Sequence, residues 1–497
     1  MKKKLVSAFL CATMVAGCLT FAGCGSSGDG GTKDDGGDTA DEGGAADDGG
    51  DAADDGAADD GGDAADEGGE SGTAVEETFN STFGDSNGTH LDLWTFVDAH
   101  AEMYGKMVEK WNAANPDRTI ELTAVSYPYS DMHNKVLMSF QAGEGAPDIV
   151  DVEVGQFPNF VAGQETWLYP LDDAMAPYKD DMVASRLETY MGADGHYYGA
   201  PFHVGATVMY YNLAEMEKYG LKQEDIDAVK TWDDYEALGK KYVEARGEDG
   251  KYWTSVDTGG TDWMWIAMAQ YEEDWTGGFD GEPNVQLESV KNMLTYQKRW
   301  LDDGVAEISP DGQVDLEAGY QNILDHNIVS FPKAMWFMSR FKNYMPEEEG
   351  NWYIAPCPVF DESQNNCSVG IGGTGTVVTQ ESENQELAAD FVCYAKMSPD
   401  GEKVIWEDLG FDVCNTSLWT DEAFAHDENN YYNKFFRNLP YDVLASIDGK
   451  IGKIAVVEIS PTISDQMNLT TFNEIFEDGR DIEEALEDAQ NAIELEQ

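Results

Sequence analysis

The chain has 497 residues, too many for one compact core, so two or more lobes are expected. Thirty Lys+Arg stand against 96 Asp+Glu, a formal charge of −66. That balance excludes nucleic acid as a partner, because counterion release needs clustered Lys and Arg on phosphates. It also disfavours adsorption to anionic lipid headgroups.

Lys2, Lys3 and Lys4 precede an apolar run from Leu5 to Phe21, followed by Ala22-Gly23-Cys24. A charged start, apolar middle and small-residue end make residues 1–23 a secretory signal. The apolar stretch is shorter than the roughly 20 residues a spanning helix needs. Phe21-Ala22-Gly23-Cys24 resembles the bacterial lipobox, which makes Cys24 the expected lipidation site and first mature residue. Val15-Ala16-Gly17-Cys18 is a competing match, set aside because low-complexity sequence begins directly after Cys24. Residues 25–78 hold nineteen Asp/Glu and one Lys, with almost nothing else but Gly, Ala, Ser and Thr. Such a composition buries too little apolar surface to offset its ordering entropy, so 24–84 is read as a disordered acidic tether. Its acids lack the spacing and closing Glu of an EF-hand, and no metal is expected. Beyond it, 77 acids still face 26 bases, so the body is acidic by itself. That charge is read as a solvated surface.

Leu91-Asp92-Leu93-Trp94-Thr95-Phe96 alternates like a strand. Ala101–Ala114 has helical spacing, with Met103, Met107, Val108 and Trp111 on one side, and Asn115-Pro116 ends it. Ile120–Val125 reads as a strand, Ser130–Ala142 as a helix stopped by Gly143, and Asp148–Val152 as a short apolar strand. This β-α-β-α-β order implies a mostly parallel sheet flanked by helices. Ligands gather at the carboxyl ends of such strands, which directs attention to the loops after Phe96 and Val152.

Gly145-Ala146-Pro147-Asp148-Ile149-Val150, Leu168-Tyr169-Pro170-Leu171 and Gly195-His196-Tyr197-Tyr198-Gly199-Ala200-Pro201-Phe202 come in order. They are followed by Val208-Met209-Tyr210-Tyr211-Asn212, Lys333-Ala334-Met335-Trp336 and Gly372-Gly373-Thr374-Gly375-Thr376-Val377-Val378. Their shared order over about residues 90–410 resembles the family 1 extracellular solute-binding proteins, the sugar-binding subunits of ABC importers and relatives of maltose-binding protein. The resemblance implies an α/β, two-lobed, type II periplasmic-binding-protein-like fold, with mixed sheets flanked by helices and a hinged cleft. On that pattern the N-lobe is 85–201 plus 372–420 and the C-lobe 202–371 plus 421–497. The crossings fall near Pro201–His203 and Gly370–Thr374.

A sugar offers C–H faces to aromatic rings and hydroxyls to carboxylates, amides and imidazoles. Trp336 matches the family's Trp after the Ala-Met strand, and Arg340 lies one helical turn beyond it, as a contact or a structural ion pair. Trp263 and Trp265 share one side of an extended segment but diverge on a helix, where one becomes core. Glu153 follows a strand at the cleft edge; Val152 stands where a relative carries an aromatic. Asp98 and His100 sit in the loop after the first strand, and Phe202 and His203 at the first crossing. At the second, Gly373 and Thr374 either bring backbone N–H groups close to ligand, since Gly permits near approach, or serve a sharp hinge turn.

HExxH and Walker A motifs are absent from the sequence. The expected activity is therefore binding without catalysis or cofactor. The cargo is a neutral mono- or oligosaccharide delivered to ABC permeases by a monomer that touches the membrane only through its lipid. A polyamine or other cation is the alternative cargo, and an exported glycoside hydrolase the alternative activity; a surface adhesin is the third class. Cys357 and Cys367 flank what reads as a strand-turn-strand connection and are expected to bridge outside the cell, with Cys393–Cys414 pairing left open.

Overall fold

The computed structural model describes residues 77–161, 167–278 and 281–496. The signal segment, Cys24 and the tether as far as residue 76 lie outside the described residues. The expected β-α-β-α-β run is present. Strands Thr89–Thr95, Ile120–Ser126 and Ile149–Glu153 pair in parallel, joined by helices Asp98–Ala114 and Tyr129–Ala142. The second helix stops where Gly143 turns to φ +72° and donates its N–H to the carbonyls of Ser139 and Phe140, a left-handed cap.

Three further strands complete this N-lobe sheet, all antiparallel to their neighbours. Thr374–Val378 lies beside Ile149–Glu153, and Gly199–Pro201 lies outside Thr374–Val378. At the opposite edge, Phe79–Gly84 pairs with Ile120–Ser126. The last strand corrects the expectation that 79–84 belongs to the tether. Phe79 and Phe83 stack on one another and pack onto the N-lobe core, apolar anchors that the acidic sequence just before them obscures.

The C-lobe is built on an antiparallel sheet of Trp352–Ala355, Thr207–Asn212 and Ser330–Ala334. Every residue of the last two strands is buried, so both faces of this sheet are covered. One apolar cluster runs from Met103 and Met107 through Phe202 and Val204 to Tyr210, Phe331 and Phe341, joining the lobes behind the hinge. A second joins Trp232, Trp253, Trp263 and Trp300 to the C-terminal helix Ile482–Leu495 through Leu486 and Ile493. A third fills the other face of the N-lobe sheet with Val150, Val152 and Phe160.

Among the described residues Cys357, Cys367, Cys393 and Cys414 are free thiols, so the expected Cys357–Cys367 bridge is not formed. Cys357 points into the C-lobe core and donates its S–H to the Thr207 carbonyl at 3.7 Å.

Gly105 lies where the helix Asp98–Ala114 meets the edge strand, and a Cβ there would fall 2.6 Å from the Phe83 ring. Gly105→Ala should therefore lower the urea midpoint. Overpacking costs about 1–3 kcal/mol, against a helix-propensity gain of about 1 kcal/mol. In a Phe83→Leu background the same change should become neutral or stabilising, and a double-mutant cycle measures the difference.

Candidate functional site: the hinge and the interlobe cleft

Two chain segments cross between the lobes side by side. Phe202–Ala206 connects Gly199–Pro201 to Thr207–Asn212, and Gly370–Gly373 leads into Thr374–Val378. Ile371 donates its N–H to the Gly205 carbonyl at 2.9 Å, and Phe202 donates to that of Thr374 at 3.0 Å. A third segment runs alongside: Val204 N–H donates to the Asp412 carbonyl at 2.9 Å, and Ala206 N–H to Asp412 Oδ2 at 2.8 Å. Three strands of chain thus share one hydrogen-bonded hinge.

Arg186, on the short N-lobe helix Ala184–Glu188, fastens the first two. Its Nε donates to the His203 carbonyl at 2.9 Å and its Nη2 to that of Gly372. Gly373 has φ +116°, and a Cβ there would stand 1.7 Å from Arg186 Nη2, so the position needs glycine on both counts. Nothing in the sequence around Arg186 singled it out. Only the folded chain brings residue 186 to both crossings.

Below the hinge, Asp151 Oδ2 accepts from Thr95 Oγ1 at 2.8 Å and lies 3.3 Å from His100 Nδ1. Its Oδ1 lies 2.7 Å from both the Tyr104 and Thr376 hydroxyls. Burial would raise this carboxyl, but Lys396, His100 and Tyr104 outweigh it and hold it below the usual carboxylate range. His203 is buried with neither ring nitrogen hydrogen-bonded. Burial, with Arg186, His100 and Lys396 nearby, pushes it well below the usual imidazole value, so it is neutral.

The cleft opens from the hinge between Val154, Ser185, Arg186 and Thr189 of the N-lobe and Trp265, Ile454 and Val456 of the C-lobe. Its volume is about 10 Å³, close to that of one water. Trp265 and Val456 pack against the N-lobe cluster, and Lys453 pairs with Glu188 across the gap. The lobes are closed on one another.

The candidate residues distribute unevenly around this cleft. Trp263 and Trp265 stand on the helix Asp262–Tyr271 and diverge: Trp263 packs against Trp232 and Trp300 at 5.7 and 5.5 Å, while Trp265 lines the cleft. Trp336 donates its indole N–H to the Ile371 carbonyl at 2.9 Å and lies beside Gly372, at the hinge. Arg340 sits 5.4 Å from the Trp336 ring and is engaged by Asp315, with Nε–Oδ1 3.0 Å. Thr374 and Gly373 are hinge residues, and Val154 N–H donates to the Gly373 carbonyl at 2.8 Å.

Phe202 is buried under the hinge, stacked on His100 at 4.1 Å, which places both in the core. Glu153 curls back onto its own loop, accepting from Gly155 N–H at 2.6 Å and Tyr129 O–H at 3.2 Å. Asp98 lies in the first turn of its helix and accepts from Thr78 Oγ1 at 2.8 Å.

Sequence reasoning also missed the buried charges beside the Trp265 helix. Lys333, inside a fully buried strand, places Nζ 2.7 Å from Asp262 Oδ2. Asp257, lifted to about 6 by burial, accepts from Ser309 O–H at 2.5 Å. A single Lys within an apolar strand is the signal that was available.

Asp412 carries a pH prediction. Burial raises it to about 7 from an ordinary 3.8, outweighing the hydrogen bond from Ala206 and the charge of Arg186. The folded chain then holds a proton that the unfolded chain releases, so the contribution is fully present below about pH 4 and lost as pH rises through 7. Asp412→Asn is neutral at every pH. Its stability advantage over wild type should be largest above pH 7 and shrink on acidification toward 4, read from urea midpoints across that range.

Residues 98–396 match the family described as bacterial extracellular solute-binding protein. The chain is 37% identical to the arabinooligosaccharide-binding protein of Halalkalibacterium halodurans, over 83% of this chain and 91% of that one. It is 36% identical to the protein of the same name from Bacillus subtilis, over 78% and 87%. Among solved structures, the sugar-binding protein MalE of Xanthomonas citri superposes with a TM-score of 0.67 at 18% identity, over 82% of this chain and 96% of that one. With the family match spanning most of the body and relatives aligned over nearly their whole length, the chain belongs to the bacterial extracellular solute-binding proteins.

Proposed function

We propose that this protein captures a neutral oligosaccharide of the arabino-oligosaccharide class between its lobes and delivers it to ABC permeases, binding without turnover. The observation that carries the reading is the placement of Trp265 on the cleft wall and Trp336 at the hinge, where two segments cross between the lobes and a third runs alongside. Flat rings suit the C–H faces of sugars, and a hinge lets the water-sized gap widen to admit one. The names of the two arabinooligosaccharide-binding relatives support the same cargo. A cationic cargo is disfavoured because Asp262, on the Trp265 helix, is paired with Lys333, and Asp315 is paired with Arg340 beside the Trp336 ring. We further propose that the mature chain starts at a lipidated Cys24 and is held as a monomer on the outer face of the membrane by an acidic tether.

Titration with arabinotriose should raise the unfolding midpoint, since a ligand at a hundred times its Kd adds about 2.7 kcal/mol. Trp265→Ala and Trp336→Ala should each weaken binding tenfold or more, measured by calorimetry. Spermidine should leave the midpoint unchanged. A response to spermidine alone would replace the cargo, and release of free sugar from the oligosaccharide would replace binding with hydrolysis.

A further inference from the structure

We infer that Arg186 couples the cargo to the hinge: the end of its guanidinium that the hinge leaves free donates to an oxygen of the bound oligosaccharide. This rests on the cleft being the cargo site. Arg186 is 3% exposed, yet none of its hydrogen bonds among the described residues goes to a carboxylate. A buried cation is tolerated when paired, and this one is paired only in part, through neutral oxygens. Its Nε and Nη2 form one edge, which serves the His203 and Gly372 carbonyls, with the Tyr190 hydroxyl 3.5 Å from Nη2. Nη1 has no acceptor among the described residues. It lies against Gly370, where a Cβ would stand 3.6 Å away, and both residues line the interlobe gap.

The wall around this free end is rich in donors. Trp265, on the opposite lobe, has a buried indole N–H with no acceptor, and Ser185 and Lys453 line the same gap. No carboxylate is among the described residues that line it, in a chain of 96 acids. Each lobe therefore brings one unmet donor to the gap, Arg186 from the N-lobe and Trp265 from the C-lobe. A donor left unpaired carries a desolvation cost, and the hydroxyl and ring oxygens of a sugar are acceptors that relieve it.

One planar group then makes both kinds of contact. A ligand oxygen held by Nη1 fixes the guanidinium plane, and with it the separation of two carbonyls on different crossings. Sugar is bound more tightly when both crossings are tied than when either is released, and such a difference in affinity is what a ligand needs to move a hinge. Lysine at this position would keep the charge and lose the fixed fork. A guanidinium that only fastened the hinge would be indifferent to which hydroxyls the ligand carries.

Calorimetric titration with arabinotriose and its monodeoxy analogues, on wild type and Arg186→Gln, tests this. Loss of one hydroxyl should weaken binding to wild type about tenfold, or 1.4 kcal/mol, and cost Arg186→Gln less than twofold. The other deletions should cost both proteins the same, so the cycle isolates one contact. Wild type labelled with 15N-arginine gives a second readout, should the variant not fold. Saturating arabinotriose should shift the Arg186 Nη signals and slow their hydrogen exchange with water. Deletion costs that are identical in both proteins, or Nη signals unmoved at saturation, overturn the assignment of Arg186 and leave the cargo reading standing. If arabinotriose does not bind, that cargo reading fails first, and the Nη signals are read with maltotriose and lactose instead. A bound sugar that leaves them unmoved overturns the assignment; a protein that binds none of the three overturns both.

Discussion

The guanidinium of Arg186 holds the carbonyls of His203 and Gly372 together, and the hinge geometry follows from that contact. A planar fork with several donors can serve two backbone acceptors on different segments, which a lysine ammonium does less rigidly. Gly373 exists to let the fork in, and Gly205 solves the same problem against the Ile371 carbonyl, where a Cβ would stand 2.5 Å away. Buried backbone carbonyls need donors, and at this crossing the donor is a side chain from the N-lobe. The lobes rotate about a point where three segments are already tied.

Charge is handled differently inside and outside. The surface is left strongly negative, which keeps the chain soluble at some cost in self-repulsion. Inside, cations are placed against specific partners, Lys333 with Asp262 and Arg340 with Asp315. A buried charge is tolerated only when paired. The cleft wall itself sets Trp265 and aliphatic side chains beside Ser185, Thr189, Arg186 and Lys453, a mixture of apolar surface and hydrogen-bonding groups.

The closed cleft and the hinge belong to one device. Trp265 touches the N-lobe cluster while its own helix is rooted in the C-lobe through Trp263, so any opening must part Trp265 from Val152, Val154 and their neighbours. The hinge segments lie behind this contact, backed by an apolar cluster continuous through both lobes. Rotation there separates the front walls while the back remains packed, the ordinary geometry of hinge closure.

Local pattern was enough for the N-lobe strands and helices, because their apolar residues recur at the periods those elements require. It was enough as well for the order of short motifs that matches the family. The edge strand Phe79–Gly84 escaped because two Phe at alternate positions are a weak signal beside an acidic run. The site escaped more fully. Whether Trp263 or Trp265 faced the cleft depended on which side of one helix met the C-lobe core. His100 and Phe202 looked like loop residues but stack on each other beneath the hinge. Arg186 and Val456 meet the crossings and the cleft only after segments hundreds of residues apart have packed. Periodicity is a property of neighbours along the chain and can be read there. A binding wall is made of neighbours in space, and which residues those are is decided by tertiary packing.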